Sequence, residues 1–116
     1  MGQQEIHEHE ALGGGHRRRL YCRLISLSRS LQTILRINLD GTQVYEDRET
    51  LRELYEGFGQ ISEREQTYLL YRYGFTDDIG HTLIGTAIHF NLSESRAKKL
   101  EGEAMDNLWL ELPWWF

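Results

Sequence analysis

The sequence predicts an all-α fold: a small helical bundle with a C-terminal helix-turn-helix, preceded by an irregular or extended N-terminal segment. Three observations predict it. From Asp47 onward, apolar residues recur at spacings of three and four, the period of one helix face. Ser62, Thr82 and Ser93 each stand just ahead of such a run, where a side-chain oxygen caps free backbone N–H groups. Gly74 and Asn91 close two of the runs, and both residue types accept left-handed backbone angles.

Taken in order, residues 1–15 read as a flexible tail ending in the hinge Gly13, Gly14 and Gly15. The tail sets His7 and His9 among Glu5, Glu8 and Glu10. Imidazole and carboxylate both ligate metals, but an i,i+2 pair does not share a helix face. No cysteine or distant histidine completes the set, so a solvated tail without metal is expected. Residues 16–46 read as a linker-like segment. It opens with His16, Arg17, Arg18 and Arg19, a basic cluster that suits phosphate, an acidic protein surface or plain solvation. LYCRLISLS and ILRINLDGTQVY alternate in part, and Asp40-Gly41 is a turn signal. This pattern predicts a small hairpin or an extended linker.

The helical unit spans 47–116. Leu51, Leu54, Tyr55 and Phe58 fall on one face, and Gly57 and Gly59 close that segment. Ser62 and Glu65 form a capping box for the next helix, whose apolar face is Tyr68, Leu69 and Tyr73. Asp77, Asp78 and Gly80 make a loop, and a third helix runs from about Thr82 to Phe90. Ser93 caps the fourth, which buries Ala97, Leu100, Ala104 and Leu108. Its other face carries Glu94, Arg96, Lys98, Lys99, Glu101 and Glu103. Gly102 in mid-helix costs about 1 kcal/mol against Ala. Pro113 ends regular structure ahead of Trp114, Trp115 and Phe116. That aromatic end is either a partner-binding anchor or a cap over the protein's own core.

The 116 residues suit one domain with tails, and 40% hydrophobic with 27% charged residues is a folded, soluble balance. No apolar run has the length of a membrane span, and the polar N-terminus does not read as a secretory signal. One cysteine, Cys22, fits a reducing cytoplasm. Charge is uneven. Residues 1–49 carry seven Arg against seven acidic residues, whereas residues 50–116 carry six Lys or Arg against eleven acids. The net charge of −5 therefore comes from the helical unit. Phosphate contacts dominate DNA affinity, so DNA binding by this unit alone is expected to be weak.

A helix-turn-helix needs small residues where its helices cross and polar residues at the start of the second helix. Ala87 and Ala97 meet the first need, and Ser95, Arg96, Lys98 and Lys99 the second. The order Ile61, Ser62, Glu63, Arg64, Glu65, Tyr68, Leu69, Arg72, Tyr73, Gly74 is specific. So is the continuation Thr82, Leu83, Leu92, Ser93, Arg96, Leu100, Glu101, Ala104, Met105, Leu108. Together they resemble region 4 of housekeeping-type bacterial sigma factors, over about Asp47 to Trp109.

The resemblance implies that Arg96, Lys98 and Lys99 contact upstream promoter DNA, and Ser95 is a further candidate from its place at the start of the helix. The resemblance also implies that the earlier helices, with Tyr68, Leu69 and Arg72, dock on the beta flap of RNA polymerase core. Trp114 and Trp115 are further candidate partner contacts. Residues 24–49 stand where the family has its linker. Glu94 departs from the family pattern, holding a usually basic position, and Lys99 stands where glutamine is common. Thr86 replaces a buried aliphatic residue, while Ile84 and Ile88 replace exposed acids. The first helix of the motif is therefore expected to be rotated or to show an apolar surface.

At 116 residues the chain is expected to lack the regions that melt promoter DNA in that family. The function expected is that of a truncated or split sigma-like transcription initiation protein, paired with a separate chain carrying other sigma regions. The alternative is a degenerate sigma-like module that regulates polymerase through protein contacts without reading DNA. No enzyme and no cofactor are expected: Cys22 lacks a catalytic pattern, and Gly13–Gly15 lack phosphate-loop spacing.

Overall fold

The computed structural model describes residues 15–37, 42–76 and 79–116. Among these it contains five helices and no strand: α1 (Gly15–Ile37), α2 (Thr42–Phe58), α3 (Glu63–Arg72), α4 (Leu83–His89) and α5 (Glu94–Glu111). The all-α fold expected from the periodicity is present. The tail histidines His7 and His9, the turn at Asp40-Gly41, and Asp77 and Asp78 lie outside the described residues.

The hairpin or extended linker expected after residue 16 is replaced by α1. The reason is a helical period that partial alternation obscured. Leu20, Leu24 and Leu27 fall at i, i+4 and i+7, and all three are buried with Tyr21. Arg18, Cys22, Ser26 and Arg29 form the opposite, exposed face. Helix α2 likewise starts earlier than Asp47, at Thr42. Leu51, Leu54 and Phe58 are buried as expected, whereas Tyr55 is exposed, edge-on to Phe58 and Phe75. Gly57 lets α2 approach the C-terminal end of the chain. A Cβ there would meet Leu112 at 3.0 Å and Leu108 at 3.1 Å.

Three N-caps match the sequence signals. Ser62, Thr82 and Ser93 each accept a backbone N–H three residues on, and Ser62 and Glu65 complete the reciprocal capping box. Helices α3 and α4 end in the same way. After α3, Gly74 sits at φ 83° and the Phe75 N–H reaches back to the Leu70 carbonyl. After α4, Asn91 sits at φ 56° and the Leu92 N–H reaches the Ala87 carbonyl. Both are Schellman turns, in which a left-handed residue reverses the chain and satisfies the last carbonyls. Helix α5 stops before Pro113.

Helix α5 is the central rod, packed by α1, α3, α4 and α2. Ala97, Ala104, Met105 and Leu108 are fully buried along it. Phe116 returns to the core and lies beneath the Arg23 guanidinium, 4.9 Å from the ring centre. Gly102 marks the crossing with α1. A Cβ on Gly102 would stand 2.7 Å from the Arg17 guanidinium, which turns instead to Asp106.

Candidate nucleic-acid interface

Thr82, Asn91 and Ser93 set the geometry of the helix-turn-helix. The Thr82 hydroxyl accepts the Gly85 N–H, while its carbonyl accepts the Thr86 N–H and the Thr86 hydroxyl. That last bond explains the polar residue in an aliphatic slot. Thr86 is fully buried, and its hydroxyl is satisfied by the backbone one turn back. Helix α4 keeps Thr86 inward and turns Ile84 (51% exposed) and Ile88 (74% exposed) outward as an apolar face.

After the Asn91 turn, Ser93 starts α5. Glu94, Ser95, Arg96, Lys98 and Lys99 are all exposed. Among the described residues, Arg96, Lys98 and Lys99 make no ion pair, so their charge is available to solvent or a ligand. The Ser95 hydroxyl lies 3.3 Å from that of Ser93. Glu94 begins the helix, where a negative charge suits the positive end of the helix dipole. It offsets part of the cationic face, although α4, with no acidic residue of its own, adds none.

The remainder of the expected surface is organised differently. Glu101, expected outward with the lysines, is buried at 1% exposure. Its carboxylate accepts from Tyr68 Oη at 2.8 Å, Arg72 Nε at 2.8 Å and Tyr73 Oη at 3.1 Å. Arg72 also donates through Nη1 to the His81 carbonyl. Burial, followed by the negative charge of Glu101, pushes the Tyr73 hydroxyl well above its ordinary pKa. Tyr68, Leu69 and Arg72, expected as partner contacts, are thus interior residues joining α3 to α5. Their direct role is to hold the motif. Sequence reasoning missed this because position 101 follows Lys98 and Lys99 in a charged run. The available signal was Glu101 standing four residues after Ala97 and before Ala104, on the buried face.

Trp114 is 92% exposed and Trp115 is half-exposed, so the aromatic end divides: Phe116 caps the core and Trp114 faces out. A further contact absent from the sequence analysis is a ring stack. Tyr71 lies between His81 (centroids 3.9 Å apart) and His89 (3.8 Å), with both imidazoles nearly parallel to it. It fastens the end of α3 to the loop before α4 and to the last residue of α4. No helix among the described residues is long and apolar enough to cross a membrane.

No family model, curated protein or solved structure matches this chain.

Proposed function

We propose that the chain is a sigma-like transcription initiation protein acting in the cytoplasm. It binds RNA polymerase core and contacts upstream promoter DNA through α5. The observation that carries this reading is the cluster of Arg96, Lys98 and Lys99, exposed on the first turns of the second helix of a capped helix-turn-helix. The mechanism is recruitment without covalent chemistry. Polymerase contact supplies most of the affinity, because the helical unit is acidic overall. The cations then add phosphate and base contacts at a fixed register, set by the Asn91 turn and the buried Glu101 junction.

The exposed Ile84 and Ile88 favour a second reading, in which the same fold regulates polymerase through protein contact alone. One experiment separates the two. Binding of promoter-like duplex by the chain with polymerase core is measured by fluorescence anisotropy, for the parent and for Arg96→Ala/Lys98→Ala/Lys99→Ala. The DNA reading expects affinity to fall on the order of tenfold or more. Equal affinity of parent and variant, with capture of the isolated beta flap retained, would leave only the regulator.

A further inference from the structure

The solvent side of α5 carries one line of residues at successive spacings of four, three, four, three and four: Arg96, Leu100, Glu103, Asn107, Leu110 and Trp114. Alternating steps of three and four keep to a single helix face. Leu100 is half-buried and the other five are exposed, Leu110 at 78% and Trp114 at 92%. Among the described residues, no large apolar side chain is more exposed than these two. At the other end of the line, Leu100 walls an open groove of about 520 Å³ with Tyr68, Phe90 and Leu92. Trp114 cannot enter that groove on its own chain. Leu100 and Leu110 belong to one unbroken helix, which holds them about 15 Å apart along its axis, and Trp114 lies further on, past the helix end at Glu111.

We propose that this line is a self-association surface, on which a second copy of the chain lies antiparallel. Read backwards, the line has the same spacing. A two-fold axis beside Met105 therefore sets Arg96 opposite Trp114, Leu100 opposite Leu110 and Glu103 opposite Asn107 of the second copy. Each pairing is chemically matched. The Arg96 guanidinium meets an indole face, the most favourable ring for a cation. Leu100 and Leu110 remove apolar surface from water together, and Trp114 covers the mouth of the groove beside them. Asn107 donates one N–H to Glu65 at 2.7 Å, and its second N–H is there for the Glu103 carboxylate.

Charge selects both the occupant and its direction. A parallel copy would set Arg96 on Arg96 and Glu103 on Glu103, and like charges in contact repel. The antiparallel copy brings each charge against a neutral group instead. The chain itself thus supplies an aromatic anchor that lacks a pocket and a groove that lacks an anchor. Trp and Arg are also the residue types that dominate interface energies. A seam this short belongs to the small, transient class of interfaces, so the pair forms at high concentration. The inference goes beyond the DNA reading and does not depend on it. Arg96 belongs to both surfaces, so pairing competes with the duplex contact proposed above.

The test is sedimentation equilibrium of the full chain without DNA, from about 1 μM to about 1 mM, where small interfaces associate. The parent is expected to show a monomer–dimer equilibrium. Leu110→Glu and Trp114→Arg change exposed positions, so both are expected to keep the parent melting curve in dilute solution. Each is expected to weaken the dimer by about tenfold or more. Arg96→Glu combined with Trp114→Arg sets a carboxylate against a guanidinium across the two-fold axis, and is expected to restore the dimer. A parent that stays monomeric throughout overturns the inference. So does a Leu110→Glu variant that dimerises like the parent, which would move the contact to another face such as Ile84 and Ile88. A double variant that pairs no better than Trp114→Arg alone overturns the antiparallel arrangement. None of these readouts involves duplex, so failure of the DNA reading leaves them unchanged.

Discussion

Helix α5 is tied to its neighbours by two acidic residues five positions apart, and they work under opposite conditions. Glu101 is buried and gathers an arginine and two tyrosines. Asp106 is 38% exposed and pairs with Arg17 and His16. Around Glu101 every charge and hydroxyl was taken from water, so the arrangement is stable only while all partners are present. Around Asp106 water replaces any partner that leaves. The first junction fixes how α3 sits on α5. The second fastens α1 across Gly102 and tolerates change.

Four substitutions would break or sharpen this contrast. Glu101→Ala strands a buried guanidinium and two hydroxyls, and urea denaturation is expected to show a loss of about 3–5 kcal/mol. This is a large fraction of the roughly 5–15 kcal/mol that holds a domain of this kind. A loss no larger than that of an exposed pair would show that water reaches the junction. Tyr73→Phe removes one donor from the same carboxylate and is expected to cost about 1–1.5 kcal/mol in the same measurement.

Asp106→Asn comes next, at about 1 kcal/mol after solvent screening. The hydrogen bond from Arg17, then that from His16, lowers the Asp106 carboxyl from 3.8 to about 2. Its contribution is therefore complete above about pH 4 and disappears as the pH falls towards 2. Stability of the parent and the Asn variant should converge across that window, and curves that stay parallel through it would remove Asp106 as the source. Gly102→Ala is expected to have the smallest effect. It gains about 1 kcal/mol of helix propensity and displaces the flexible end of Arg17 from Asp106, so the melting temperature should barely move. The Asp106 carboxyl, followed by NMR, should nevertheless titrate closer to 3.8.

The same contrast explains what was legible in the sequence. Caps and turns are local, so Ser62, Thr82, Asn91 and Ser93 announced themselves through residue type alone. Exposed cations at the start of α5 were equally plain, because no distant partner is needed to keep them in solvent. Glu101 was not legible, because its burial depends on Arg72 arriving from 29 residues away. Helix α1 was missed for a related reason. Leu20, Leu24, Leu27 and the intervening Ile25 satisfy a strand pattern in fragments, and packing of α1 against α5 and α2 selects the helical period. The two isoleucines of α4 were recognised as unusual, while the solution of the Thr86 hydroxyl required the carbonyl of Thr82.

The sandwich of Tyr71 between His81 and His89 gives the protein a built-in spectroscopic gauge. Ring currents of the phenol shield the imidazole protons on either side, displacing both resonances upfield while the three rings remain in register. Warming the sample and following those two signals would report when α4 parts from α3, separately from the melting of the bundle.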